Sequence, residues 1–237
     1  MISETVVQRW YAGPQYDHTA QFFGWIRAAS TAGSRVLNVG AGPGNGDPRC
    51  TLKGEVAELV GSDIDPEVMR NPEIDRGQIT DGVTLPFADA SFDLAYSDYV
   101  VEHVEHPVPF LAEVHRVLKP GGSYFFRTPN MYHYVAIASR FSPHKVHTAI
   151  ANRMRNLPDD THEPWKTYYR LNTRRQVARA AREVGFSGID VRMVEGFPAY
   201  LRFHIVPFMA GVAYERLVNK SEILAGLRGN IFARLSR

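Results

Sequence analysis

Three groups of residues in this sequence have types and spacings that can do chemistry. The first is RVLNVGAGPG, residues 35 to 44. Val36, Leu37 and Val39 form an apolar β-run that ends in glycines at alternate positions, Gly40, Gly42 and Gly44. A buried strand stopping at such a turn lets the backbone approach a ligand closely, because no Cβ stands in the way. The second is Asp63, 19 residues beyond Gly44, at the end of the apolar run that starts at Glu58. A carboxylate at the tip of a second parallel strand has two oxygens for the two vicinal hydroxyls of a ribose. The third is a set of imidazoles, the side chains best suited to take a proton from a hydroxyl near neutral pH. His103 follows Glu102, and His133, His144, His147 and His162 lie farther on, among Tyr132, Tyr134, Glu163 and Trp165. His133 is the first candidate for a base, because it stands closest to the apolar run Tyr124 to Arg127; His103 is the second. Glu102-His103 and His144-x-x-His147 supply two ligands each, too few to close a metal site, so no metal is expected.

The elements that must position these residues can be read from periodicity. Residues 1 to 33 carry apolar helical faces through Val6, Val7 and Trp10, then Phe22, Phe23, Trp25 and Ile26, with Gly13-Pro14 as a break. Strands are expected at Arg35 to Val39, Glu58 to Ser62, Phe92 to Tyr96 and Tyr124 to Arg127. Ser97 and Asp98 fall at the tip of the third of these. After Gly44, the stretch NGDPRCTLKG has Gly46, Pro48 and Gly54 and few apolar residues, which predicts a loop or a short irregular helix. Asp65-Pro66 reads as a helix cap. Helix is expected through Val100, Val101 and Val104, then from Pro109 to Leu118, stopped by Lys119-Pro120-Gly121-Gly122. Farther on, Arg174 to Val184 reads as a helix, Ile189 to Val194 and Asn230 to Leu235 as strands, and Glu195 to Gly229 as one or two helices.

The order of these motifs resembles the class I S-adenosylmethionine (SAM) methyltransferases, most closely the methyltransferase type 11 group. The resemblance is carried by GxGxG, an acid after strand two, DGVTLPFADASFD from Asp81, Glu102-His103 and LKPGG. It covers residues 35 to 130, just over 40% of the chain. It implies an α/β, Rossmann-like, seven-stranded, mostly parallel sheet with an antiparallel last strand, helices on both faces, and helical insertions after strands five and six. One methyltransferase domain over 1–237 is expected, with an N-terminal helical cap (1–33), a substrate-side insertion (130–170) and a C-terminal helical insertion (196–229). SAM is the implied cofactor. Gly40, Ala41 and Gly42 would pass under its methionine part, with Ser97 near the same end. Asp63 would take the ribose hydroxyls, Ile64 would pack on the adenine, Asp81 would accept from the adenine amino group and the Gly82 amide would donate nearby. Many family members carry an acid two residues before the first glycine; this chain has Asn38, which keeps an acceptor oxygen and brings no charge.

The expected activity is methyl transfer to an oxygen of a small-molecule or glycan- or lipid-linked acceptor. Nitrogen or carbon methylation and a non-catalytic SAM-binding protein of the same fold are the alternatives. A nicotinamide-dependent oxidoreductase would require G-x-G-x-x-G, and position 45 is Asn. A net charge of +2 gives no nucleic-acid footprint overall, although Arg140, Lys145, Arg153, Arg155, Lys166, Arg170, Arg174 and Arg175 gather in one region. The single cysteine, Cys50, and an N-terminus without a basic-then-apolar pattern suggest a reducing, cytoplasmic setting. The apolar stretch Tyr200 to Leu217 is expected to pack internally, against a second copy, or on a membrane surface.

Overall fold

A computed structural model of the chain describes residues 2–141 and 165–237. Seven strands form one sheet: β1 (Arg35–Val39), β2 (Glu58–Asp63), β3 (Arg76–Ile79), β4 (Phe92–Asp98), β5 (Leu118–Pro129), β6 (Gly188–Val194) and β7 (Asn230–Ser236). Their spatial order is β3-β2-β1-β4-β5-β7-β6. The pairs β1–β2, β1–β4, β2–β3 and β4–β5 are parallel, and β7 runs antiparallel between β5 and β6. This is the sheet expected from the sequence. Strand order reverses at β1, so its C-terminal end and that of β4 bound the crevice in which open α/β sheets hold ligands.

The helices cover both faces because the strands are apolar on both sides. On one face, α3 (Pro107–Val117) and α5 (Arg174–Val184) bury Phe110, Leu111, Val114, Val117, Val177 and Ala181 against Leu37, Val39 and Phe126. Helix α5 starts at a Thr173 cap and stops at Gly185, where the sequence places its ends. On the other face, α2 (His18–Arg27) buries Phe22, Phe23 and Ile26 against Val36, Tyr96 and Phe125. Helix α1 (Glu4–Tyr11) leaves that core. Its Val7 and Tyr11 pack with Phe208 and Val212 of α6 (Ile205–Lys220). Helix α4 (Tyr134–Phe141) opens the segment after β5.

Local details differ from the sequence reading in three places. Asp65 caps a 3₁₀ turn, Pro66–Arg70, accepting from the Glu67 amide at 2.9 Å. The helix expected from Val100 is also a short 3₁₀ turn, Val101–His103. Tyr99 just before it has φ +54°, a left-handed conformation that breaks helix continuity. Strand β5 takes in the Lys119-Pro120-Gly121-Gly122 stop, with an irregular register opposite Phe92 to Leu94. The loop expected after Gly44 is present, and its only helical piece is the 3₁₀ turn Pro48–Cys50. Among the described residues no helix is long and apolar enough to cross a membrane.

Candidate functional site

The glycine turn is fixed by hydrogen bonds from β2. The Gly40 and Ala41 amides both donate to the Ser62 carbonyl, at 2.7 and 3.1 Å. Gly40 has φ +82°, and a Cβ there would stand 2.3 Å from Val100 Cγ2, so only glycine fits beneath the β4 tip. Gly42 has φ +50° for a different reason. The nearest atom to a Cβ there would be Asp63 Oδ2, 4.0 Å away. The space is open, and a side chain would fill it.

Asp63 sits at the C-terminal end of β2, facing that space. Its Oδ2 accepts from the Gly42 amide at 2.7 Å and its Oδ1 from the Asp65 amide at 2.9 Å. An ionised carboxylate has about four acceptor positions, so each oxygen keeps one for a ligand hydroxyl. Next to it, Ile64 is 44% exposed, and its Cγ2 lies 3.0 Å from where a Gly82 Cβ would be. Asp81 is exposed. Its Oδ1 accepts from the Thr84 amide at 2.6 Å and the Val83 amide at 2.8 Å, and these bonds hold its carboxyl below the usual carboxylate range. The fold thus gathers Asp63, Ile64, Asp81 and Gly82 at one end of the glycine turn.

A regular helix does not follow the turn, so the loop is held by side chains from the β2–β3 connection. Asn71 Nδ2 donates to the Ala41 and Gly42 carbonyls, each at 3.0 Å. Glu73 Oε1 accepts from the Asn45 amide at 3.0 Å and the Gly46 amide at 2.5 Å. Neither residue is announced by a short-range pattern, since they act on backbone about 30 positions earlier.

At the other end of the turn, Asn38 pairs across the sheet with Tyr96 and Gly61. Asn38 Oδ1 is buried without a hydrogen-bond partner, and so is the Tyr96 hydroxyl. A buried acceptor left unpaired is costly and marks a place for a donor. Ser97 contributes no side chain to the cleft. It is fully buried, its Oγ donates to the Val39 carbonyl at 2.9 Å, and it accepts from the Tyr124 hydroxyl at 2.8 Å.

The tips of β4 and β5 are locked by an ion pair. Arg127 Nε and Nη2 donate to the two Asp98 oxygens at 2.5 and 2.9 Å, and Nη1 donates to Thr19 Oγ1 at 3.0 Å. The Arg127 side chain is only 5% exposed. Its guanidinium lies 4.8 Å from the Tyr99 ring centre and 5.3 Å from that of Phe22. Tyr99, beside the Gly40 turn, reaches over β5 and donates its hydroxyl to Asn230 Oδ1 at 3.0 Å. Strained aromatic backbone at a strand tip is a functional signal.

The two candidate bases have different surroundings. His103 is half-buried, and its Nδ1 lies 3.0 Å from the Lys166 carbonyl. A carbonyl only accepts, so Nδ1 carries the proton. The Tyr168 and Tyr169 amides donate to the neighbouring Glu102 carbonyl, which ties residues 165–172 over the end of β4. His133 is buried after β5, with Nε2 3.4 Å from Glu195 Oε2 and its ring against Tyr134 (4.1 Å) and Tyr214 (5.8 Å). Beside it, a cleft of about 400 Å³ is lined by Asn130, Met131, Tyr132, Arg174, Arg175 and Met193, among others. His144, His147, His162 and Glu163 lie outside the described residues, as do Lys145, Arg153 and Arg155.

Comparison with known proteins decides what this crevice belongs to. Residues 37–126 match the methyltransferase domain model of the type 11 family. Over that stretch the chain is similar to the class I SAM-dependent methyltransferases. A ubiquinone biosynthesis O-methyltransferase of Nitrosococcus oceani is 29% identical over 179 residues, 68% of this chain and 70% of the relative. An uncharacterized methyltransferase of Mycobacterium sp. (strain KMS) is 39% identical over 104 residues, 41% of this chain and 40% of the relative. Among solved structures, a Haloferax volcanii methyltransferase in complex with the Trm112 methyltransferase activator superposes with a TM-score of 0.57 at 17% identity, covering 94% of this chain and 91% of that one. The fold is therefore shared far beyond the matched motifs. SAM is the methyltransferase's cofactor, and the unpaired Asn38 oxygen, the open surface at Gly42 and the spare lone pairs of Asp63 suit its ammonium, chain and ribose.

Proposed function

We propose that this methyltransferase, read as one domain over 1–237, transfers the methyl group of SAM to a hydroxyl of a small-molecule or glycan- or lipid-linked acceptor, with His133 as the base. In this reading Gly40, Ala41 and Gly42 carry the methionine part, Asn38 Oδ1 accepts from its ammonium, Asp63 accepts from both ribose hydroxyls, Ile64 covers the adenine, and Asp81 and the Gly82 amide address its edge. Bound there, SAM supplies a methyl group already activated by the sulfonium. The chain's task is then to align the acceptor, exclude water and remove one proton.

The observation that carries the reading is His133 held at ion-pair distance from a buried carboxylate, near the cleft lined by Asn130, Tyr132 and Met193. A neutral hydroxyl needs such a base, whereas an amine acceptor does not. The likeness to an O-methyltransferase points the same way. His103 is the second candidate: a backbone carbonyl holds its Nδ1 proton, and this uncharged group cannot balance an imidazolium as the Glu195 carboxylate can. The test is transfer of isotope-labelled methyl from SAM to a panel of phenols and glycans, read by mass spectrometry. His133→Gln is expected to lower turnover on a hydroxyl acceptor about 100-fold while S-adenosylhomocysteine binds as before. Full turnover by that variant would sink the base assignment, and labelling confined to amines would favour nitrogen methylation.

The acceptor is also proposed to reach the site from a lipid surface. Phe203 (66% exposed), just before α6, and Val206 (67%), Met209 and Leu217 on it present exposed apolar side chains, and Tyr214 of the same helix reaches His133. Sedimentation with anionic phospholipid vesicles is expected, and Val206→Glu with Leu217→Glu should abolish it. A monodisperse dimer that ignores vesicles would instead assign this face to a second copy.

A further inference from the structure

Glu195 is a buried carboxylate that no motif singles out, and it stands where five segments meet. It follows β6. The His18 ring of α2 lies against the next residue, Gly196, where a Cβ would stand 2.3 Å from His18 Cε1, and Asn219 of α6 approaches the Glu195 carbonyl at 3.4 Å. The amide of Gly229, which precedes β7, donates to Glu195 Oε2 at 2.7 Å. His133, which follows β5, places Nε2 3.4 Å from the same oxygen. The Glu195 side chain is 7% exposed and that of His133 is 11% exposed.

His133 Nε2 is fully buried and has no hydrogen-bond partner at ordinary distance. The ring has little room to choose another orientation. Tyr134 stacks on it at 4.1 Å, Tyr214 closes its edge at 5.8 Å, and Gly229 offers only a Cα where a Cβ would touch His133 Cε1 at 3.5 Å. A buried carboxylate needs donors, and a buried imidazole nitrogen facing one carries the proton. At 3.4 Å the two groups are within reach but not aligned, and a small rotation of the Glu195 carboxylate converts the approach into a hydrogen bond, an adjustment common when a catalytic site closes on its substrates.

We propose that Glu195 is a positioning residue for His133: it holds the imidazole with its proton on Nε2, so that Nδ1 is the nitrogen with the free lone pair. The inference rests on the reading of His133 as base. In the transfer, the acceptor O–H bond breaks and its proton forms an N–H bond at Nδ1. The acceptor oxygen gains the methyl carbon as the carbon–sulfur bond breaks, and that electron pair remains on sulfur. The imidazolium formed is balanced by the Glu195 carboxylate, and its proton later leaves to water. An orienting carboxylate of this kind fixes tautomer and ring direction without itself taking the proton.

The test uses the full chain with histidine labelled at both ring nitrogens. In the parent protein, the nitrogen spectrum of His133 is expected to show a protonated Nε2 and a bare Nδ1. Glu195→Gln keeps an oxygen at the same place and is expected to keep that tautomer, while kcat falls because the charge that balances the imidazolium is gone. Glu195→Met removes the acceptor; the tautomer signal should become mixed and kcat should fall about 100-fold, with S-adenosylhomocysteine affinity unchanged. An unchanged Nε2–H signal in Glu195→Met overturns the proposal, as does a parent protein with its proton on Nδ1. If the Met variant fails to fold, the parent and Gln spectra still decide. Should His133→Gln retain full turnover, the base reading fails, while the tautomer result still reports on Glu195.

Discussion

Asp98→Ala is expected to cost about 3–5 kcal/mol of stability and to lower Tm by roughly 10 °C for a chain of this size. The reason is what the substitution leaves behind. Arg127 is almost wholly buried, and its guanidinium stays charged under any accessible condition, because the Asp98 carboxylate raises its pKa further against the opposing effect of burial. With Asp98 gone, two of its donors lose their acceptor, and the Thr19 hydroxyl and the ring faces of Phe22 and Tyr99 cannot replace a charge. Asp98→Leu combined with Arg127→Met removes both charges together and should recover most of the loss, because desolvating two ions offsets much of their attraction. Thermal unfolding of the three proteins checks this. If the single and double variants melt alike, the pair is not what holds the β4 and β5 tips together.

The second large effect is on binding. Asp63→Ala removes two charge-assisted acceptors from the ribose, each worth about 1.5–3 kcal/mol, and affinity for SAM should fall at least about 100-fold. It also deprives the Gly42 and Asp65 amides of their acceptors, so some stability is lost as well. Asp63→Asn separates the two contributions. It keeps an oxygen for one amide and one hydroxyl, and affinity should fall about tenfold with little change in Tm. Equal affinity of the parent and Asp63→Ala would show that the ribose lies elsewhere.

Much of this architecture was legible in the sequence because it is local. The β-run before Gly40, the acid at position 63, the apolar faces of α3 and α5 and the Gly185 stop are each set by neighbours a few residues away. So was the missing helix after Gly44, from Pro48 and the surrounding glycines. What stayed hidden depends on distant pairing. Asn71 and Glu73 hold the glycine loop through backbone bonds that have no period. Arg127 and Asp98 are recognisable as partners only once β4 and β5 are in register. Ser97 was legible as a strand-tip residue, but its burial under Tyr124 was not. The left-handed backbone of Tyr99 and its bond to Asn230 have no signature in the sequence either. Glu195 lay at the boundary of an insertion, and only the fold brings it to His133.

The central claim is that the glycine turn, Asp63 and Asn38 form the floor of a SAM site. Isothermal titration of the full chain with S-adenosylhomocysteine tests it most directly, with NAD as the control nucleotide. One site with micromolar Kd, lost in Asp63→Ala and silent to NAD, is the predicted result. No heat with S-adenosylhomocysteine, or equal binding of NAD, would contradict it.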